Sequence, residues 1–290
     1  MSFINAVTRR VSRREGQRSR VLSRRDIFIW AAAILFFNQI FGVIKEMPAA
    51  SLEVLVTDLL AVGIFQYLAW YAIFRLLGSS DPGPAAQWRD FLIIAAFCLL
   101  VFLPTSRAIW VAASGIAIYL FLTETGDAKL RAAGIVLAAL SVQELWGRLF
   151  FNLVADHLLR AEAAVIGTML EVARPGTVWH DNGISGPDGH GVVIISGCSS
   201  FHNVSLALLC WVTVSRLRCH TWRARDFVIG SAIGITMILF NMTRICLMAW
   251  NTELYHYWHE GSGTEIFAIG ASLTILLMSL YGSKATGRPT

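Results

Sequence analysis

Eight long apolar runs, separated by short polar segments, constrain the fold of this chain more than any other sequence feature. Several of them approach the roughly 20 apolar residues that a helix needs to cross a bilayer core. Hydrophobic residues make up 56% of the chain and charged residues 15%, against roughly 45–50% and about 25% in soluble domains. The sequence therefore predicts an all-α polytopic membrane protein with about eight transmembrane helices. The runs are Ile27–Ile44, Val54–Leu77, Phe91–Pro104, Ala108–Thr123, Ala132–Val154, Val192–Val214, Phe227–Trp250 and Thr264–Tyr281.

The basic residues indicate how these helices are oriented. With eight crossings, 18 of the 24 Lys and Arg residues fall on the side of the N-terminus, and basic residues near span ends mark the cytoplasmic side. Both termini are therefore predicted to be cytoplasmic. The same bias explains the net charge of +5, so membrane lipid is an expected partner and nucleic acid is not. The predicted regions are a basic head at 1–26, a transmembrane domain at 27–281 and a cytoplasmic tail at 282–290.

One polar excursion, residues 155–191, separates the fifth and sixth apolar runs. Its first part, Asp156–Val172, has the pattern of an amphipathic helix lying on the membrane surface. A segment dense in Gly, Pro, Asn and Asp follows, which is typical of turns. Two short runs with β propensity, Thr177–Trp179 and Val192–Ile195, flank that segment. We therefore predict a small β-hairpin outside the membrane that leads directly into the sixth helix.

Cys198 is the cysteine whose position suggests chemistry. The chain has five cysteines and no C-x-x-C spacing, so neither a zinc ribbon nor a thioredoxin-type site is indicated. Cys198 precedes Ser199 and Ser200, at the point where the polar excursion becomes a helix. A helix N-terminus stabilises a thiolate and thus favours a nucleophilic cysteine. The alternative at this stage is a buried structural thiol.

Arg244 is an unusual residue for the seventh apolar run. It lies about six residues inside the outer end, roughly 9 Å deep at 1.5 Å per residue. Ionisable side chains at such a depth usually face the interior of the bundle or a cavity and have a function; the alternative is that Arg244 extends to the membrane surface. Asn241 lies on the same helical face. Glu144 and Arg148, four residues apart in the fifth run, are predicted to form an ion pair that supports the site or stabilises the bundle.

Three histidines are candidates for an acid or base. His256 and His259 follow Arg244 in a short outer loop, on the same side of the membrane as Cys198. His202 competes with them, because it lies one helical turn after Cys198 on the same face. His202 would lie deeper in its helix, where a charged imidazolium is less stable.

Together these residues resemble the exosortase/archaeosortase family, which are membrane proteins considered to be cysteine transpeptidases. A C-S-small motif opens a helix, an N-x-x-R-I motif closes the next helix, and a histidine is followed by a glycine and an aromatic residue. A short helix ending at Gly167 and a Gly-x-Val segment at 176–178 also match. The chain departs from the family at Ser200, where a glycine is usual, which affects the substrate subtype more than the chemistry. The motif residues are Gly197–Ser200, Asn241–Ile245, His259, Gly263 and Phe267.

The resemblance implies a function and a set of roles. Cys198, Arg244 and His259 would be catalytic, with Asn241, Ser199, His256, His202, Arg148 and Glu144 in support. The substrate would be the C-terminal sorting tail of an exported protein, cleaved through a Cys198 thioester that passes to an amine-bearing acceptor, with no metal or organic cofactor. The protein would lie in a bacterial or archaeal cytoplasmic (inner) membrane, with its active site on the extracytoplasmic face. The alternatives are hydrolysis without transfer, and a non-enzymatic component of exopolysaccharide biosynthesis or export.

Overall fold

The computed structural model describes residues 22–45, 63–103, 105–124, 126–218 and 223–286. Most of the predicted basic head, residues 1–21, and the last four residues of the predicted tail lie outside these ranges. The predicted tail begins within the last helix, which continues to Thr286.

An α-helix overlaps each of the eight apolar runs, so the predominantly helical fold is confirmed. The outer loop after Arg244, predicted without secondary structure, also contains a short helix, α9, whose first turn is capped by the Asn251 side chain accepting from the backbone N–H of Leu254. In chain order the helices are α1 (Arg24–Lys45), α2 (Ile64–Ser79), α3 (Trp88–Leu100), α4 (Ser106–Thr123), α5 (Ala128–Ser141), α6 (Gly147–Ala173), α7 (Ser200–Arg218), α8 (Ala224–Trp250), α9 (Thr252–His259) and α10 (Ser262–Thr286).

Four helical segments within the described ranges are long and apolar enough to cross a membrane. They are residues 24–42, 128–173, 224–250 and 262–284, and the helix at 107–123 is a shorter apolar one. Helix α7 has 19 residues, but its first turns carry Ser200, His202, Asn203 and Ser205. The membrane character of the chain is therefore confirmed by helix length and composition, whereas the number of eight crossings stays a prediction.

Helices α5 and α6 form one continuous helix, which corrects the prediction of a separate surface helix at Asp156–Val172. A π-helical turn, Val142–Trp146, joins them. The helix runs on because α6 contains no proline and its one internal glycine, Gly167, does not break it; it ends at Ala173, and not at Gly167 as predicted. The combined 46 residues span about 69 Å at 1.5 Å per residue, more than twice the roughly 30 Å of a bilayer core. Part of this helix therefore extends beyond the membrane.

A three-stranded antiparallel sheet replaces the predicted hairpin. Its strands are β1 (Val178–His180), β2 (Gly183–Ser185) and β3 (Gly191–Val193), in that spatial order. The two runs predicted to pair with each other both pair with β2 instead, because the turn-rich segment between them contributes a strand of its own. The sheet packs on α6 at Gly167, where an added Cβ would come within 2.7 Å of the Trp179 side chain.

Helix α7 lies at the centre of the bundle and begins directly after the sheet. The sixth apolar run begins at Val192, but its first residues belong to β3, as their β propensity predicts, and the helix starts only at Ser200. Trp211 and Arg216 of α7 are fully buried. Arg216 lies 3.8 Å from the buried Asp226 carboxylate of α8, and the Trp211 indole donates to the Asp226 carbonyl. These contacts fix α7, which begins two residues after Cys198, against α8, which carries Arg244.

Candidate active site

Cys198 ends a short 3₁₀ turn, Ser196–Cys198, between β3 and α7, which we call the nucleophile turn. Its backbone N–H donates to the Ile195 carbonyl at 2.9 Å. Ser199 is extended, with φ −64° and ψ 146°, so α7 begins only at Ser200, after the cysteine of the motif. The Cys198 thiol is free and half-buried. The thiol thus lies just before the N-terminus of α7.

Two side chains from neighbouring helices hold the nucleophile turn. The Asn241 amide of α8 donates to the Cys198 carbonyl at 2.7 Å and to the Ser200 hydroxyl at 3.2 Å. The Glu162 carboxylate of α6 accepts from the Ser199 hydroxyl at 3.1 Å and from the Ser200 backbone N–H at 3.0 Å. Glu162 therefore caps α7 from another helix. Ser199 is buried, so its contribution is to this anchoring.

Sequence reasoning missed Glu162, although a signal was present. The buried residues of α6 recur at positions 159, 162, 163, 166 and 170, which is the spacing of one helical face. An acidic residue on the apolar stripe of an amphipathic helix must find partners when the helix packs. No sequence motif marks Glu162. Its position on the apolar stripe is what distinguishes it from the exposed acidic residues of the helix.

Arg244 lies one turn after Asn241 on α8. Its Nε and Nη2 groups donate to the Trp258 carbonyl at 3.2 and 3.0 Å, and its guanidinium lies 4.8 Å from the centre of the Phe267 ring. The charge of a Cys198 thiolate would interact with this guanidinium. The Trp258 carbonyl accepts from two of the five N–H groups, and no other acceptor among the described residues bonds to the guanidinium, so the remaining N–H groups can meet a further acceptor.

His259 is the last residue of α9 and follows Trp258 directly. Its ring stacks on Tyr255, with ring centres 4.9 Å apart and planes 12° from parallel. Its Nδ1 atom is buried without a hydrogen-bond partner among the described residues and lies 3.9 Å from a Glu260 carboxylate oxygen. The stacking fixes the imidazole ring, and α9 replaces the structureless loop that the sequence suggested.

Cys198 and His259 line the same cavity, of about 400 Å³. Strand β3 forms one wall, and Ile245, Met248 and Tyr255 form much of the remainder. We call this the thiol cavity. Its largely apolar walls suit an extended apolar peptide segment, and they would strengthen electrostatic interactions inside it. The structure thus brings the Cys198 thiol of the nucleophile turn and the His259 imidazole of α9 to one cavity, and the Arg244 guanidinium of α8 bonds to the residue before His259.

The remaining predicted residues lie elsewhere. His202 lines a different cavity, together with Arg148, Asn152 and Ser196, which we call the polar cavity. His256 is exposed and lies 3.1 Å from Glu260. The predicted ion pair between Arg148 and Glu144 is present at 3.2 Å, and Glu144 also accepts a hydrogen bond from Gln66. Glu144 lies in the π-helical turn, a local structure that often marks functional sites.

The sheet is tied to the end of α8, and this connection positions the nucleophile turn. The His190 ring donates from Nε2 to the Met248 carbonyl at 2.9 Å, and the Arg174 guanidinium donates to the Trp250 carbonyl. Both carbonyls belong to the last turn of α8, where basic groups are stabilised. Arg174 also pairs with Asp188 at 2.8 Å, and this hydrogen bond lowers the pKa of the exposed Asp188 carboxyl.

Comparison with known proteins assigns a family on independent grounds. The family model described as transmembrane exosortase matches residues 53–276, about three quarters of the chain. No curated protein and no solved structure matches. The matched region includes the nucleophile turn, α8, α9 and most of α10. The chain belongs to the transmembrane exosortase family.

Proposed function

We propose that this chain is a membrane cysteine transpeptidase that cleaves the C-terminal sorting tails of exported proteins through a thioester at Cys198. The observation that carries this proposal is the thiol cavity, which Cys198 and His259 line together and beside which the Arg244 guanidinium lies. A thiol nucleophile, a base and a donor group that stabilises the oxyanion can together perform acyl transfer.

The proposed first half-reaction forms the thioester. His259 accepts the Cys198 proton, and the sulfur attacks the carbonyl carbon of the scissile peptide bond. The carbonyl oxygen becomes an oxyanion, which the free N–H groups of Arg244 stabilise. The carbon–nitrogen bond then breaks, His259 protonates the departing amine, and the sorting tail leaves with that new amino group.

The second half-reaction releases the substrate. An acceptor amine attacks the thioester carbonyl, His259 takes the proton of the amine, and the carbon–sulfur bond breaks to restore the thiol. Water in place of the amine would give hydrolysis, and the nature of the acceptor decides between the two outcomes. Asn241 and Glu162 act as positioning residues, because they bind the backbone and neighbours of Cys198.

Capture of the acyl-enzyme tests this proposal. The purified protein is mixed with an exported protein of the same organism that bears a C-terminal sorting tail. We expect a covalent adduct on the peptide containing Cys198, seen by mass spectrometry and released by hydroxylamine as the hydroxamate. A processed substrate without any hydroxylamine-sensitive adduct, even on rapid quenching, would contradict the thioester route. Added primary amines appearing in the product would distinguish transfer from hydrolysis.

Arg244→Lys is expected to lower the processing rate by roughly 10²-fold. Lysine keeps the charge but carries all its donors on one nitrogen, so it lacks the planar fork that can reach the Trp258 carbonyl and an oxyanion at separate positions. Loss of one oxyanion donor costs about 10²–10³ in rate. The measurement is the initial rate of tail cleavage, with each variant expressed at the same level. The matched control is Arg160→Lys on α6, because the native Arg160 guanidinium pairs with the exposed Asp181. Equal rates for Arg244→Lys and wild type would show that Arg244 takes no part in the chemistry.

We further propose that both termini are cytoplasmic and that the sheet and the thiol cavity face the extracytoplasmic side. The distribution of basic residues supports this orientation. The test uses a variant in which all native cysteines are replaced, with Cys198 changed to alanine. A single cysteine is then placed at Asp188 or at Arg223, and intact cells are treated with a membrane-impermeant thiol reagent. We expect labelling at 188 and none at 223; the reverse pattern would overturn the orientation.

A further inference from the structure

The polar cavity lies on the opposite side of the nucleophile turn from the thiol cavity. Ile195 and Cys198 line the thiol cavity, whereas Ser196 and Gly197 line the polar cavity. The turn is therefore a wall between the two. The polar cavity measures about 560 Å³, within the roughly 300–1,000 Å³ typical of ligand sites.

Hydrogen-bond donors without partners converge on the polar cavity. Arg148 uses one guanidinium nitrogen in its bond to Glu144, and within the described ranges the rest of the guanidinium makes no hydrogen bond. The side chains of Asn152 and His202 likewise have no hydrogen-bond partner among the residues described, and both line the cavity. Donors from α6 and α7 thus surround one space.

The anchoring of Arg148 indicates that its guanidinium is held in position before a ligand binds. Glu144, to which it is bound, has a side chain only 9% exposed and is itself held by Gln66 of α2. Glu144 neutralises part of the charge of Arg148 and orients it, but does not use its remaining donors. A guanidinium oriented in this way matches anionic oxygens with paired donors.

We propose that the polar cavity binds the phosphate group of an anionic ligand, through Arg148, Asn152 and His202. Donors that approach from two helices suit a tetrahedral phosphate better than a planar carboxylate. The rings of Phe151 and Phe201, 5.1 Å apart, line the same cavity and provide an apolar wall for the remainder of the ligand. The phosphate belongs either to a lipid headgroup or to a soluble phosphate ester. This site is separate from the thiol cavity and does not depend on the proposed chemistry there.

A titration of the detergent-purified full chain tests the site, with two probes in separate arms. One is dihexanoyl phosphatidylglycerol and the other is glycerol 3-phosphate, with binding measured by calorimetry. We expect saturable binding of at least one probe, weakened about tenfold or more in Arg148→Gln, since a charge-assisted hydrogen bond is lost. Binding of the lipid alone assigns a headgroup, and binding of both assigns the phosphate itself; either result supports the site.

Arg160→Gln is the matched control. Arg160 is on the same helix and similarly exposed, at 58% against 64% for Arg148, but pairs with Asp181 away from the polar cavity. Equal weakening in both variants would show that overall charge attracts the probe, and would overturn the proposal. So would the absence of saturable binding of either probe to the wild type. If Arg148→Gln fails to fold by gel filtration, Asn152→Ala decides, with an expected loss of roughly fivefold against no loss in Arg160→Gln.

Discussion

Replacement of Cys198 by alanine is expected to abolish tail processing, by more than about 10³-fold, because no other group in the thiol cavity can form the acyl-enzyme. Cys198→Ser should be nearly as inactive, since a hydroxyl is a much weaker nucleophile than a thiolate. The measurement is the ratio of processed to unprocessed substrate in cells that express each variant at equal levels. Neither variant should change the folding of the chain, because the thiol is only half-buried.

Cys246→Ala provides the control for that experiment. Cys246 is also a free, half-buried thiol on the helix that carries Arg244, and it does not line the thiol cavity. We expect Cys246→Ala to process normally. If Cys198→Ala also processed normally, the chain would not be a thiol enzyme, and a non-enzymatic role in polysaccharide export would become the better explanation.

His259→Ala is expected to reduce processing by about 10²–10⁴-fold, the usual contribution of a general acid–base. His202→Ala should retain most of the activity, because His202 faces the polar cavity on the other side of the nucleophile turn. The assay compares initial rates of both variants with those of wild type across a range of pH. Loss of the general base should also change the shape of the pH–rate profile, which a packing defect would not do.

His256→Ala is the matched control on the same short helix, since its ring is exposed and pairs with Glu260. A mild loss in His256→Ala is compatible with the assignment, because Glu260 also lies near His259. Normal processing by His259→Ala together with an inactive His202→Ala would show that the base is on α7, the helix that follows the nucleophile turn. That result would leave the thioester route intact and change only the proton carrier.

The residues that the sequence could identify were those whose type is unusual in their surroundings. A cysteine beside a predicted helix start, and an arginine within an apolar run, each stand out without knowledge of the fold. Their catalytic roles stay predictions, but their positions near a common cavity follow from the structure. The choice between His202 and His259 could not be made from spacing, because it depends on which side of the nucleophile turn each ring faces.

The errors in the predicted fold have a common cause. Hydropathy falls after Val154, which predicts the end of a helix, although no residue there breaks one. Similarly, the strand Gly183–Ser185 is too short and too polar to be distinguished from the turns on either side. In both places the local hydropathy pattern indicates whether the side chains contact lipid or water. The backbone conformation depends instead on packing between α6 and the sheet.

The position of Asn241 and Arg244 on a single helix has a consequence for how the site withstands change. One turn of α8 bonds directly to the backbone of Cys198 and to the residue before His259. The distances among Cys198, Arg244 and His259 are thus set by one rigid turn of α8. Shifts among α1, α3 and α4, which contribute none of these bonds, would leave the distances within the group unchanged. Sequence drift in the first half of the chain should consequently be tolerated far more readily than a single insertion between residues 241 and 259.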